Sequence, residues 1–226
     1  MKIIMNLKKK LSKAFKMKDM GEVSNILGMR ITREKNSIKI DQSKYIEDVL
    51  KRFGMFDCNP TTTPIDVNQK LSTSMCPKNQ KEIKEMSQVP YMQAVGCLLF
   101  ASQVSRPDIT YAVNMLSRFS KNPGKAHWEA AKRVMRYLKG TLDSQLVYRA
   151  DLKESNIKGY CDADWAGNID DRQSTTGYVF LHQSAAVSWA TKKQKTVALS
   201  STEAEFMSLT AAIQESVYLK KTRDGA

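Results

Sequence analysis

Apolar residues recur at helical spacing near the start of the chain. Leu7, Leu11, Ala14 and Phe15 share one side, Lys8, Lys9, Lys10, Lys13 and Lys16 fill the other, and Gly21 ends the segment. The period then drops to two. Leu27, Met29 and Ile31 alternate with Gly28, Arg30 and Thr32, and Ile38-Lys39-Ile40 returns after a turn at 34–37, which predicts a hairpin. Ile46, Val49, Leu50 and Phe53 predict a second helix, started at Asp41 or Ser43 and closed at Gly54. Residues 57–88 hold few large apolar side chains and are broken by Pro60, Pro64 and Pro77. They read as an extended, partly mobile connector. From Tyr91 to Gly140 three helical stripes follow. They are Tyr91/Val95/Leu98/Leu99, then Ile109/Val113/Leu116 behind Pro107, then Trp128/Ala131/Met135/Leu138 after a turn at 122–124. Beyond 150 the period is again two, with strands expected near 156–162, 176–181 and 185–191 and a short turn at Gln183-Ser184. A last helix opens on the capping-box string Ser200-Ser201-Thr202-Glu203 and runs to about Lys220, with Phe206, Leu209, Ala212 and Ile213 as its expected buried face.

Charge adds a partner class to this outline. The 226 residues include 36 Lys+Arg against 23 Asp+Glu, a formal net charge of +13. Such an excess favours a polyanion, nucleic acid first, through counterion release. Lys132, Arg136 and Lys139 recur at i, i+4 and i+7 on the last middle helix, a stripe able to track phosphates, and Lys192, Lys193 and Lys195 form a second group after a strand. Taken singly, each group is an ordinary solvated face. No apolar run reaches the roughly 18 residues of a spanning helix, and Met1-Lys2-Ile3-Ile4 is too short for a signal peptide. The expectation is an intracellular chain, cytoplasmic or nuclear, with no membrane partner. Cys58, Cys76, Cys97 and Cys161 form no C-x-x-C pair, and with only His127 and His182 beside them a zinc site is not expected. His127 and His182 read as surface or packing residues, and Trp128 and Trp189 as core.

Candidate chemistry gathers in the last third. Asp162 closes a strand in Tyr160-Cys161-Asp162-Ala163-Asp164-Trp165. Its partner would come from Glu203 or Glu205 at the start of the last helix. At about 100° per residue, Glu205 lies at the edge of the expected buried face and Glu203 well away from it, so Glu205 is the better metal partner and Glu203 the better cap. On spacing alone, acidic residues at a helix start are more often caps. Asp164 reads as a loop residue, and the adjacent pair Asp170-Asp171 as a solvated loop.

Several strings resemble one family. Cys161-Asp162-Ala163-Asp164-Trp165-Ala166-Gly167, Ser174-Thr175-Thr176-Gly177-Tyr178-Val179-Phe180, Trp189-Ala190-Thr191-Lys192-Lys193-Gln194 and the 197–206 block ending Glu203-Ala204-Glu205-Phe206 resemble, in order, the RNase H domain of copia-type LTR retrotransposon Pol polyproteins. Upstream, Leu27-Gly28-Met29-Arg30-Ile31 resembles the reverse-transcriptase hairpin that holds the primer end. Ser105-Arg106-Pro107-Asp108-Ile109 and the 131–141 block resemble the family's later helical region.

The resemblance implies an α+β fold: a reverse-transcriptase remnant and a helical middle region followed by an incomplete RNase H-like mixed sheet with a helix. It divides the chain into 1–56 (late palm, primer-grip-like), 57–88 (connector), 89–150 (thumb- or connection-like helices) and 151–226 (truncated RNase H-like). It implies Asp162 and Glu205 as catalytic and metal-binding residues for Mg²⁺ or Mn²⁺ in two-metal hydrolysis of an RNA–DNA hybrid. Implied partners are the hybrid or a template–primer, together with the remaining Pol regions. The polymerase's paired-aspartate motif and the later acidic residues of the RNase H family are not found, so the expected function is a Pol fragment with impaired catalysis. The alternatives are a non-enzymatic basic nucleic-acid-binding protein derived from the element, or an inert pseudogene product.

Overall fold

In a computed structural model, residues 2–66, 68–150 and 156–224 are described. The fold is α+β, as expected, with helices and two antiparallel sheets. The lysine-rich segment forms α1 (Lys2–Ala14). The first sheet has the order β1-β2-β3-β4: β1 (Asn25–Ile26), β2 (Met29–Glu34), β3 (Ser37–Asp41) and β4 (Leu146–Arg149). Leu27 is not a strand residue. Leu27 and Gly28 both take positive φ, at 49° and 75°, and turn β1 into β2, the backbone a two-residue hairpin needs. Strand β4 was not foreseen. It pairs with β3 from Ser37↔Arg149 to Ile40↔Leu146, so the chain returns to its N-terminal sheet about a hundred residues later.

The core is helical. Helices α2 (Ser43–Arg52), α4 (Tyr91–Val104), α5 (Thr110–Ser117) and α6 (Lys125–Gly140) bury Ile46, Leu50, Leu98, Val113, Leu116, Met135 and Leu138 against one another. The connector is more ordered than its composition suggests. It contains a short 3-10 turn at Thr73–Met75 and α3 (Gln80–Ser87), which Asn79 caps by accepting from the Glu82 amide at 2.9 Å. His127 is fully buried. Its Nδ1 accepts from the Gly124 amide at 2.8 Å, and its Nε2 faces the Ser72 carbonyl oxygen at 3.2 Å. The ring stacks on Phe119 with centroids 4.0 Å apart. Burial holds its pKa below the ordinary histidine value, so the ring is neutral and Nε2 carries the proton.

The second sheet is the meander β5 (Lys158–Asp164), β6 (Thr175–His182) and β7 (Ala185–Lys193). Gln183 and Ser184, both at positive φ, join β6 to β7. Helix α7 (Ser201–Asp224) lies on one face of it, over β5 and β6. The expected buried face of this helix is wrong in three of its four residues. Phe206, Leu209 and Ile213 are exposed, and the packed side carries Ala204, Ser208 and Ala212 instead. Small side chains let helix and sheet approach closely enough for Ser208 Oγ to reach the Asp162 and Gly177 carbonyl oxygens at 2.6 and 3.1 Å.

The other face of the sheet docks on the helical module. Trp189 Nε1 donates to the Ser102 carbonyl at 2.7 Å, and Asn114 Nδ2 to the Thr191 carbonyl at 3.1 Å. Arg118 reaches Thr175 Oγ1, and Tyr111 Oη reaches Asp164 at 3.2 Å. The pair Asp170-Asp171 is not merely a solvated loop. Asp170 accepts from Ser72 Oγ, Thr73 Oγ1 and the Thr73 amide and so clamps the connector turn. Asp171 pairs with Lys193 and accepts from Asn168 and Gln173.

Candidate nucleic-acid groove and carboxylate pair

Strand alternation decides where the carboxylates of β5 point. Asp162 is paired with Gly177 and Asp164 with Thr175, and both belong to the face that meets the helical module. Asp162 lines a cleft of about 250 Å³ with Tyr160, Val179, Trp189, Pro107 and Thr110. Cys161 and Ala163 take the α7 side, with Thr176 and Tyr178. Glu205 stands exposed near the start of α7, next to the packed Ala204. The expectation that Glu205 faces the sheet beside Asp162 thus meets a different arrangement. Helix α7 touches the Asp162 backbone, while the Asp162 side chain leaves β5 on the opposite face. Glu203 is a cap: its carboxylate accepts from the Leu199 amide at 2.7 Å, and its own amide donates to Ser200 Oγ at 3.1 Å.

A divalent ion needs several oxygen ligands converging on one point. Among the described residues, no group of three or more Asp, Glu, His or Cys side chains could hold one. Asp162 and Glu205 do not fit a two-ion centre by themselves.

The basic residues fall into two unequal groups. On α6, Lys132 pairs with Glu129 at 2.7 Å, Arg136 Nε donates to the Asn59 carbonyl at 2.7 Å, and Lys139 Nζ sits 4.2 Å from the Phe56 ring centroid. Two of the three thus fasten the segment around 56–59 to α6. Beside β7 the picture differs. Lys192, Lys193 and Lys195 line a groove of about 500 Å³ between β7 and the middle of α7, with Tyr178, Gln214 and Glu215. Lys193 is tied to Asp171, whereas Lys192 and Lys195 are exposed.

Gln194 went unassigned by sequence reasoning, although it closes the Lys192-Lys193-Gln194 string. It is buried, and its Nε2 bridges Thr176 Oγ1 at 3.1 Å and the Ala204 carbonyl at 2.9 Å, pinning the groove's β7 wall to α7. The Ser105–Ile109 string is likewise structural. Arg106, almost wholly buried, grips Asp108 at 2.7 Å and Thr141 Oγ1 at 2.5 Å, and Ser105 Oγ donates to Gln42 at 2.8 Å.

Comparison with known proteins identifies the family. Residues 1–67 match the family model described as reverse transcriptase (RNA-dependent DNA polymerase). The chain is 48% identical over 221 residues to the Retrovirus-related Pol polyprotein from transposon TNT 1-94 of Nicotiana tabacum, covering 97% of this chain and 16% of that protein. It is 39% identical over 202 residues to the Retrovirus-related Pol polyprotein from transposon RE1 of Arabidopsis thaliana, covering 88% and 13%. With the putative transposon Ty5-1 protein of Saccharomyces cerevisiae it shares 35% identity over 216 residues, 95% of this chain and 68% of the other. No solved structure matches. The chain belongs to the copia-type retrotransposon Pol polyprotein family. It spans about a sixth of the tobacco relative's length.

Proposed function

We propose that this chain is the part of a Pol polyprotein that grips nucleic acid, an RNA–DNA hybrid or a template–primer, and that its own hybrid-cleaving centre is impaired. The parent activities are RNA-directed DNA synthesis and hydrolysis of the RNA strand. In this reading residues 1–56 are the end of a polymerase palm, 57–88 a connector, 89–150 a thumb- or connection-like helical module, and 151–226 an RNase H-like unit that would use Mg²⁺ or Mn²⁺. One observation carries the reading. The β7–α7 groove presents Lys192 and Lys195 outward, in a chain of net charge +13. Two such cations along a groove suit successive phosphates. The impairment rests on the Asp162 and Glu205 side chains leaving different faces of the sheet assembly.

The test is anisotropy of a labelled hybrid against salt concentration. Lys192→Glu with Lys195→Glu should weaken binding at low salt by about tenfold or more and flatten the salt dependence. Replacing Lys132, Arg136 and Lys139 by alanine should cost less, because those side chains already have partners within the chain. Binding that ignores both salt and the groove substitutions would overturn the reading. Efficient Mg²⁺-dependent hybrid cleavage that Asp162→Asn abolishes would overturn the impairment.

A further inference from the structure

Helix α3 is fixed at both ends and unburied between them. At its N-terminal root, Asp170 accepts from Ser72 Oγ at 2.8 Å and from the Thr73 amide at 2.9 Å, and the Ser72 carbonyl meets the buried His127 ring. At its C-terminal root, Tyr91 is 2% exposed and its Oη donates to the Leu116 carbonyl at 2.9 Å. Between these points the eight residues of α3 bury no side chain, and Ile83 is 47% exposed. The helix rests on its cap, in which Asn79 accepts from the Glu82 amide and the Glu82 carboxylate accepts from the Lys78 amide at 2.8 Å. A helix this short is marginal without packing. Pro77 and Pro90 bracket it, and proline, which lacks an amide hydrogen and restricts the residue before it, keeps α3 from growing at either end or merging with α4.

Beneath α3 lies a cavity of about 550 Å³. Met86 and Val89 line it on one side, Trp128 of α6 on the other, and Met75 beside the connector turn. Apolar walls that face each other across open space forgo dispersion contact and burial that closing would restore. Charge points the same way. Glu85 on α3 and Lys125 on α6 line the cavity with opposite signs, and among the described residues neither has an ion-pair partner. We propose that residues 76–90 are a lid. Helix α3 swings on its two clamped roots and closes over the cavity, seating Met86 on Trp128 and bringing Glu85 to Lys125. The loop between β5 and β6, which carries Asp170, sets where the N-terminal root pivots. The lid shares no residue with the β7–α7 groove, so it stands or falls apart from the nucleic-acid reading.

The test is hydrogen exchange of the full chain read by mass spectrometry, together with a disulfide trap. In the wild type, amides of α3 should exchange about a hundredfold or more faster than those of α4 and α6. A Glu85→Cys, Lys125→Cys chain, changed only at exposed positions, should form the 85–125 disulfide in a mild glutathione buffer, located by peptide mass. The bridge requires the two Cα atoms within about 7 Å and so traps the closed lid. In the oxidised chain α3 exchange should slow by about tenfold or more, and dithiothreitol should restore it. Three results would each overturn the proposal: α3 amides as slow as those of α4 in the wild type, a double variant that melts like the wild type yet keeps both thiols reduced, or a disulfide that leaves α3 exchange unchanged.

Discussion

Removing the Asp108 carboxylate should destabilise the helical module more than removing the arginine it faces. Arg106 has a side chain only 2% exposed, whereas that of Asp108 is 36% exposed. The guanidinium makes three bonds to Asp108, at 3.0, 3.3 and 2.7 Å, and two to Thr141, and lies over the Tyr137 ring. Asp108→Ala leaves a buried cation without its counter-charge. Stranding one member of a buried pair costs about 3–5 kcal/mol, and the partly open rim places this case near the lower figure. Arg106→Met leaves a carboxylate that water and Tyr137 Oη can still serve, so about 1–3 kcal/mol is expected. In thermal unfolding followed by far-ultraviolet circular dichroism, about 3 kcal/mol corresponds to roughly 6–12 °C for a chain of this size. The pH dependence supplies a second check. Burial of Asp108 works against ionisation, but the bonds and charge of Arg106 outweigh it and hold the pKa below the ordinary value of 3.8. A depressed carboxylate contributes stability that is present above its unfolded pKa and lost as pH falls through the folded one. The gap between wild type and Asp108→Ala should therefore be constant near neutrality and close in acid below about pH 4. A cost under about 1 kcal/mol, or a larger loss in Arg106→Met than in Asp108→Ala, would refute the reasoning.

Asp170→Asn should loosen the connector. Its carboxylate is also held below 3.8, burial opposing and the Thr73 and Ser72 bonds prevailing, so protease cleavage within 70–80 should rise in the variant at neutral pH and in wild type only in strong acid. His127 is depressed by burial from the ordinary 6.5, which means stability is complete above that value and declines as pH drops below it. A ring that still titrates at 6.5 by NMR would contradict the neutral, Gly124-capping role. Gly124→Ala should melt well below wild type, by several degrees, because an added Cβ would lie 1.8 Å from the Met75 carbonyl oxygen, a backbone atom that cannot swing aside.

Most elements were legible where one periodicity had one cause. Tyr91/Val95/Leu98 and Ala131/Met135/Leu138 are buried stripes in the structure as in the sequence, because four helices share one aliphatic core. The meander was legible for the same reason, with its turn at Gln183-Ser184. What failed had one of two other causes, the lack of an apolar stripe or dependence on distant partners. Helix α3 carries no buried residue and rests on its Asn79–Glu82 cap, so hydrophobic spacing could not reveal it. Strand β4 is four residues long and exists only because β3 is there to pair with it. The clamp by Asp170 joins residues nearly a hundred positions apart.

At the candidate site the helix cap was legible in the sequence, and the placement of the two carboxylates was not. Helical geometry assigned Glu203 to the cap, and the Leu199 and Ser200 bonds place it there. The same geometry turned Glu205 toward Asp162 only because the large apolar residues of α7 were taken as its buried face. A helix approaching a sheet closely buries alanine and serine, and bulk is then left for another surface. Rotating the helix to that orientation leaves Phe206 and Ile213 exposed, and on β5 the two-residue alternation sends Asp162 to the face away from α7. The misread helix face accounts for the open apolar stripe, and the alternation along β5 for the separated carboxylates.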